Sequence, residues 1–182
     1  MGTFVHEFRR SLAQASERGA FRVAHYSLQG DHAHLIVEAH GKEALANGMK
    51  SIAARLARAV NRVCQRSGPV LDGRYHSRLL RTPREVRRAL AYVLLNARRH
   101  LLKSRRRASA PGRILLDPAS SARWFDGWRP AVASRSTESP AIREVARPRS
   151  WLLRVGWRRH GLVDPAEPRA PGATWRPCEG EG

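Results

Sequence analysis

The sequence predicts an α+β domain followed by an irregular C-terminal extension, on three observations. Apolar residues recur with helical period at Phe4, Phe8, Leu12 and Ala15, and again at Leu45, Met49, Ile52, Leu56, Val60 and Val63. Two strand-like runs, 21–28 and 32–39, flank Gln29-Gly30-Asp31, whose composition suits a turn. Beyond Ala108 the periodicity ends, and nine of the eleven prolines lie there, which marks irregular chain.

In order, residues 4–18 predict a first helix, and 21–28 with 32–39 a β-hairpin. A long helix over about 45–63 follows, with Lys50, Arg55, Arg58, Arg62 and Arg66 as a basic stripe opposite its apolar face. Residues 70–80 predict a third strand, interrupted at Asp72-Gly73. Thr82-Pro83-Arg84-Glu85 then announces a helix running to about Leu102. Thr82 suits the N-cap, Pro83 the first helical position, and Glu85 closes a capping box. Its apolar stripe is Val86, Leu90, Val93, Ala97 and Leu101. A domain over 1–103, a solvated linker over 104–112 and an extension over 113–182 complete the organisation.

The charge narrows the partner. Against 15 acids stand 34 bases, only three of them lysines, for a net charge of +19 over 182 residues. Such an excess favours a polyanion, because each base that neutralises a phosphate releases a counterion. Residues 51–107 hold sixteen bases and two acids, so +14 of the +19 lies there. No apolar run approaches the roughly 18 residues of a membrane span, so no membrane partner is expected. The first residues lack a signal-peptide pattern, and Cys64 and Cys178 form no ligand cluster, which suits a cytoplasmic protein. All five tryptophans lie in the extension, where they are expected to cover apolar surface of the domain, with base stacking as the alternative.

Two groups of residues could carry chemistry. His32 and His34 share one face of their strand, with Ala33, Leu35 and Val37 on the other, and two imidazoles so placed can bind one cation. The plainer alternative is a pair of surface histidines. On the last helix Tyr92 and Asn96 stand one turn apart, off the apolar stripe and near Glu85, Arg88 and Arg99. Tyr92 is either a core residue with a tethered hydroxyl or a nucleophile whose phosphate target is stabilised by guanidinium groups.

The stretch Tyr26-Ser-Leu-Gln-Gly-Asp-His-Ala-His-Leu-Ile-Val37 resembles the histidine–hydrophobic–histidine strand of the HUH single-tyrosine transposases. Gly73-Arg-Tyr-His-Ser-Arg-Leu-Leu80 and Arg87-Arg-Ala-Leu-Ala-Tyr-Val-Leu-Leu-Asn96 are similar to two further blocks of that group, in particular of the REP-associated tyrosine transposases. The resemblance covers about residues 4–103 and implies a ferredoxin-like antiparallel sheet with helices on one face. It implies His32, His34 and Asn96 as ligands of Mg2+ or Mn2+ and Tyr92 as the nucleophile. Tyr92 would attack single-stranded DNA bearing hairpins or palindromic repeats, leaving a 5′-phosphotyrosyl enzyme and a free 3′-hydroxyl. Arg55, Arg58, Arg62, Arg74, Arg78, Arg88 and Arg99 are the expected DNA contacts, forming a cradle around the cutting site, and the protein is expected to be a monomer or homodimer. Tyr26 and Tyr75 are expected on strands. The family's fold opens with a strand before the first helix, and this chain passes almost directly from Met1 into the helix. The histidine strand is therefore expected to lose a neighbour unless another segment fills the gap. A catalytically degenerate, basic nucleic-acid-binding protein is the alternative function.

Overall fold

The computed structural model describes residues 2–14, 17–29, 32–73, 75–104, 116–129 and 143–167, with the side chains of 2–4, 17–18 and 97–104 outside the described part. It is a mixed α+β fold. Helix α1 spans Gly2–Ala13, strand β1 Glu17–Arg18, β2 Phe21–Leu28 and β3 Ala33–Ala39. Helices α2, Lys42–Val63, and α3, Pro83–Ser104, follow. Further on lie a 3-10 turn at Ala122–Trp124, a short helix α4 at Trp151–Arg154 and a second 3-10 turn at Gly156–His160.

The antiparallel sheet has the order β1-β2-β3. In β2 the residues Phe21, Val23, Tyr26 and Leu28 face α1 and α2, although their spacing is two, three and two. An irregularity between Val23 and His25 absorbs the extra residue. Without it the one-residue slip would turn Tyr26 and Leu28 to the opposite face. On that opposite face Ala24 and Ile36 pack against Val86, Leu90, Val93 and Leu94 of α3. Helices thus cover both faces, which corrects the expectation of helices on one face. The cause is the pleat itself, since β2 is buried along its whole length and carries apolar groups on both sides. Gly48, in the middle of α2, marks the closest approach on the first face, because a Cβ there would collide with the Phe21 ring.

Two further expectations are corrected. The first helix stops at Ala13, and Glu17–Arg18 turns back at Gly19 to pair with Phe21 and Arg22. No strand forms in the described part of 70–80, where Leu71, Tyr75 and Leu79 are exposed. Gly68 and Gly73 both take positive φ there, 94° and 68°, which breaks the extended backbone a strand needs. Helix α3 starts as expected. The Glu85 carboxylate accepts from the backbone N–H groups of Arg81 and Thr82 at 2.9 and 3.0 Å, and Thr82 Oγ1 accepts from the Glu85 N–H at 3.2 Å. Those bonds, with Arg78, hold the Glu85 pKa down at about 2.

The described parts of the extension belong to the same core rather than to a separate unit. Phe125, Trp128, Leu153, Trp157 and Val163 join the α3 cluster. Helix α3 is therefore covered on two sides, which is why Ala91, Leu94 and Leu95 are buried in addition to the expected stripe. The outer edge of β2 is also closed by this segment. Leu28 N–H donates to Ala119 O at 2.9 Å, Ser121 N–H to Tyr26 O at 3.0 Å, and Ala146 N–H to Val23 O at 2.9 Å. The histidine strand β3 pairs only with β2 among the described residues.

Glu144 locks this arrangement. Its carboxylate, 2% exposed, accepts from the Tyr26 hydroxyl at 2.9 Å, from Trp124 Nε1 at 2.6 Å and from Arg123. Arg9 of α1 lies 3.9 Å away. Burial would raise the Glu144 pKa, but the bonds from Arg123, Trp124 and Tyr26 outweigh it and hold it low. Burial, then the Glu144 charge, push the Tyr26 phenol upward. Glu144→Ala removes the acceptor of three donors at once and is expected to cost about 3–5 kcal/mol in urea denaturation, with Glu144→Gln recovering part of it.

His25, buried on the α3 face, has its ring 5.4 Å from Phe125 and Nδ1 3.3 Å from Ser121 Oγ. Burial, reinforced by Arg143, lowers its pKa from 6.5 to about 3. Between these values the unfolded chain binds the proton and the folded chain does not, so stability rises with pH there. Lowering the pH from 6.5 to 5 is expected to cost up to about 1.4 kcal/mol per pH unit through this group, read as a falling denaturant midpoint. His25→Gln is expected to remove that share of the slope; His34, also lowered, adds in the same direction.

Candidate active site

The site forms where the turn end of the β2–β3 hairpin meets the middle of α3. Alternation along β3 puts His34, Ile36 and Glu38 on the α3 side, and Leu35, Val37 and Ala39 on the α1/α2 side. His32, just before the strand, reaches the same side as His34. Helix α3 crosses this face and presents Tyr92 at the flank of its apolar stripe, half-buried, where it packs against the core.

Three polar side-chain ends converge. His32 Nε2 lies 3.1 Å from His34 Nε2, and the Tyr92 hydroxyl lies 3.4 Å from the same His34 nitrogen. The rings meet edge to face, with centroids 4.7 Å apart for the histidines and 5.0 Å for His34 and Tyr92. Burial first, and the neighbouring His32 second, lower the His34 pKa. His34 is therefore neutral at physiological pH and carries one ring lone pair.

That donor set fits a small divalent cation. Two ligands at right angles, each about 2.1 Å from a metal, stand about 3.0 Å apart, close to the observed spacing of the two Nε2 atoms. Without a cation the same spacing suits an N–H···N hydrogen bond between one imidazole and the other. Among the described residues no group of three His, Cys, Asp or Glu side chains is assembled. Asn96, the amide expected as third ligand, is buried one turn beyond Tyr92 on α3.

The expected arginines divide. Arg88, exposed, stands one turn before Tyr92 on α3. Arg78 pairs with Glu85 at 3.0 Å at the start of that helix. Arg55 and Arg62 are not brought to the site. They lie on α2, across the sheet, where Arg55 donates to Gln14 at 3.0 Å and Arg62 to Glu7 at 2.7 Å, both at α1. Arg58 is exposed on the same helix. The cradle expected from the sequence is thus split by the sheet, because α2 and α3 pack on opposite faces. Arg74 and the side chain of Arg99 lie outside the described residues. Tyr26 is a core residue, and Tyr75 is exposed on irregular chain.

Sequence reasoning missed the residues that aim α3. Arg87 holds Glu167 with two bonds, at 2.7 and 2.6 Å, and donates to the carbonyls of Gly161 and Leu162 at 3.3 and 3.0 Å. Partners some 75–80 residues apart leave no local signal; only the two-sided apolar pattern of α3 hinted that something covers it. Among the described residues no helix is long and apolar enough to cross a membrane. Comparisons with protein-family models, with curated proteins and with solved structures find no match to this chain.

Proposed function

We propose that the protein cleaves and rejoins single-stranded DNA through Tyr92, as the resemblance to the HUH single-tyrosine transposases implies. The observation that carries this reading is the convergence of the Tyr92 hydroxyl on His34 Nε2 at 3.4 Å, beside His32. The phenol oxygen would attack a backbone phosphorus. The new P–O bond joins tyrosine to the 5′ side, the bond to the 3′ oxygen breaks, and that oxygen takes up a proton as the phenol loses one. Rejoining is the reverse, with a 3′-hydroxyl as attacker, so the bond energy is conserved between the steps.

His32 and His34, with Asn96 as the proposed third ligand, would hold Mg2+ or Mn2+. Such an ion would polarise the scissile phosphate and neutralise charge on its oxygens. Imidazole donors favour manganese over magnesium. The neutral His34 lone pair can serve a cation or accept the phenol proton, but not both at once. Arg88, one turn from Tyr92 on α3, would meet phosphate charge.

A second reading, a non-catalytic basic nucleic-acid-binding protein, is favoured by one observation. The α2 arginines lie across the sheet from Tyr92, so the basic surface there is separate from the cluster. That reading expects binding that weakens steeply with salt and is unchanged by His32→Ala or Tyr92→Phe.

The test uses end-labelled single-stranded DNA hairpins with Mn2+ or Mg2+ and a denaturing gel. A covalent protein–DNA adduct is expected with wild type and none with Tyr92→Phe. His34→Ala is expected to lower the rate at least about 10²-fold, and chelation of the metal to abolish it. An adduct that persists in Tyr92→Phe overturns the assignment of the nucleophile.

A further inference from the structure

Residues 147–162 contain five arginines and no acid. Within them lies a large exposed aromatic ring, Trp151, 49% exposed at the first position of α4. This ring is held in place. It lies against Gly156, where a Cβ would collide with it, and the Arg159 guanidinium sits 4.9 Å from its centroid. Trp157 is buried beneath, so the turn that carries Trp151 is anchored in the core.

The chain leading into this turn is fixed as well. Glu38 of β3 accepts from the N–H groups of Arg149 and Ser150, both at 2.8 Å. Just before it, an open cleft of about 520 Å³ is lined by Arg143, Arg147 and Arg149, with Ala13 of α1, Val145, Ala146 and Pro148. Burial, and then the like charge of Arg147, lower the Arg143 pKa, as expected where cations are gathered. Arg158 is matched by Asp126 at 2.9 Å.

We propose that residues 143–159 form a second contact surface for single-stranded nucleic acid, in which Trp151 stacks on an unpaired base while Arg147 and Arg159 meet the flanking phosphates. The charge alone selects a polyanion. The rigid indole face, set among guanidiniums, selects one with planar rings, because an acidic polypeptide needs only the charges. The surface sits at the opposite end of β3 from the Tyr92 cluster. Glu38 is four residues from His34, roughly 13 Å along the strand, so a single strand of a few nucleotides can touch both. The inference takes its partner class from the proposed function but does not depend on the chemistry of Tyr92.

The experiment measures binding of the full chain to a labelled oligodeoxythymidine of about 15 nucleotides and to an abasic strand of equal length, by fluorescence anisotropy. Trp151→Ala is expected to weaken binding to the thymidine strand about tenfold and to leave binding to the abasic strand unchanged. Trp151→Phe should retain most of the affinity, which separates loss of stacking from loss of fold. Arg159→Ala should flatten the slope of log affinity against log salt by about 0.7. Wild-type affinity of Trp151→Ala for the thymidine strand overturns the proposal, as does an equal loss on both strands. Competition by polyglutamate at the same charge concentration as the thymidine strand makes the surface a protein-docking site and also overturns it. Tyr92→Phe is expected to bind as wild type does, so a failed adduct assay and a failed stacking assay are told apart.

Discussion

The structure depends on closing the outer edge of β2. Every side chain of that strand is buried, so each backbone N–H and C=O turned away from β3 must find a partner inside the protein. The two-residue β1 reaches only Phe21 and Arg22. The rest is closed by residues 119–121 and by Ala146, chain that follows α3 in sequence and packs over it in space. Closing the edge in this way brings the aromatic residues of the C-terminal segment onto α3. One hydrogen-bonding requirement therefore couples the sheet, the helix and the segment that sequence composition set apart as an extension. Glu144 adds a second tie, joining that segment to Tyr26 of β2 and to the end of α1 near Arg9.

What could be read from the sequence was local. The capping box at Thr82 and Glu85 involves residues three apart, and the hairpin and the shared face of His32 and His34 follow from strand alternation. These features depend on short-range sterics and survive in any tertiary context. The third strand at 70–80 failed because composition alone does not show that Gly68 and Gly73 take positive φ and that no neighbour offers a ladder there. The face assignment failed for a related reason. An apolar residue at position 24 or 36 shows that a second face is covered, but not which helix covers it. Ala24 and Ile36 lie under α3, while Phe21 and Val23 lie under α2 and α1.

Of the candidate site, the residues were readable and their surroundings were not. The motif spacing named His32, His34 and Tyr92, and the fold brings them within hydrogen-bonding reach of one another in a chain of two contacts. The arginines were grouped by their density in sequence, and density says nothing about which side of a sheet a helix occupies. Arg55 and Arg62 illustrate this, since their partners are Gln14, just past the end of the first helix, and Glu7 within it. The charge is thus spread over at least two surfaces, with Arg78 and Arg88 on the side of the cluster and the α2 stripe on the other.

The Tyr92–His34 contact is sensitive to the rotation of α3 about its own axis. A tyrosine hydroxyl stands about 8 Å from the helix axis, so a rotation of about 10° moves it by about 1.4 Å, enough to break a hydrogen bond. Apolar packing resists such a rotation by steric fit alone, without directional bonds. Directional bonds resist it well. Arg87, five residues before Tyr92, supplies them through its two bonds to Glu167 and those to the carbonyls of Gly161 and Leu162. These partners are fixed in turn by Trp157 and Val163, buried in the α3 cluster, and by the Val163 N–H bond to Gly127 O at 2.9 Å. The aim of the tyrosine at the histidine pair is therefore set from the side of α3 that faces away from the sheet, by residues that never touch the site.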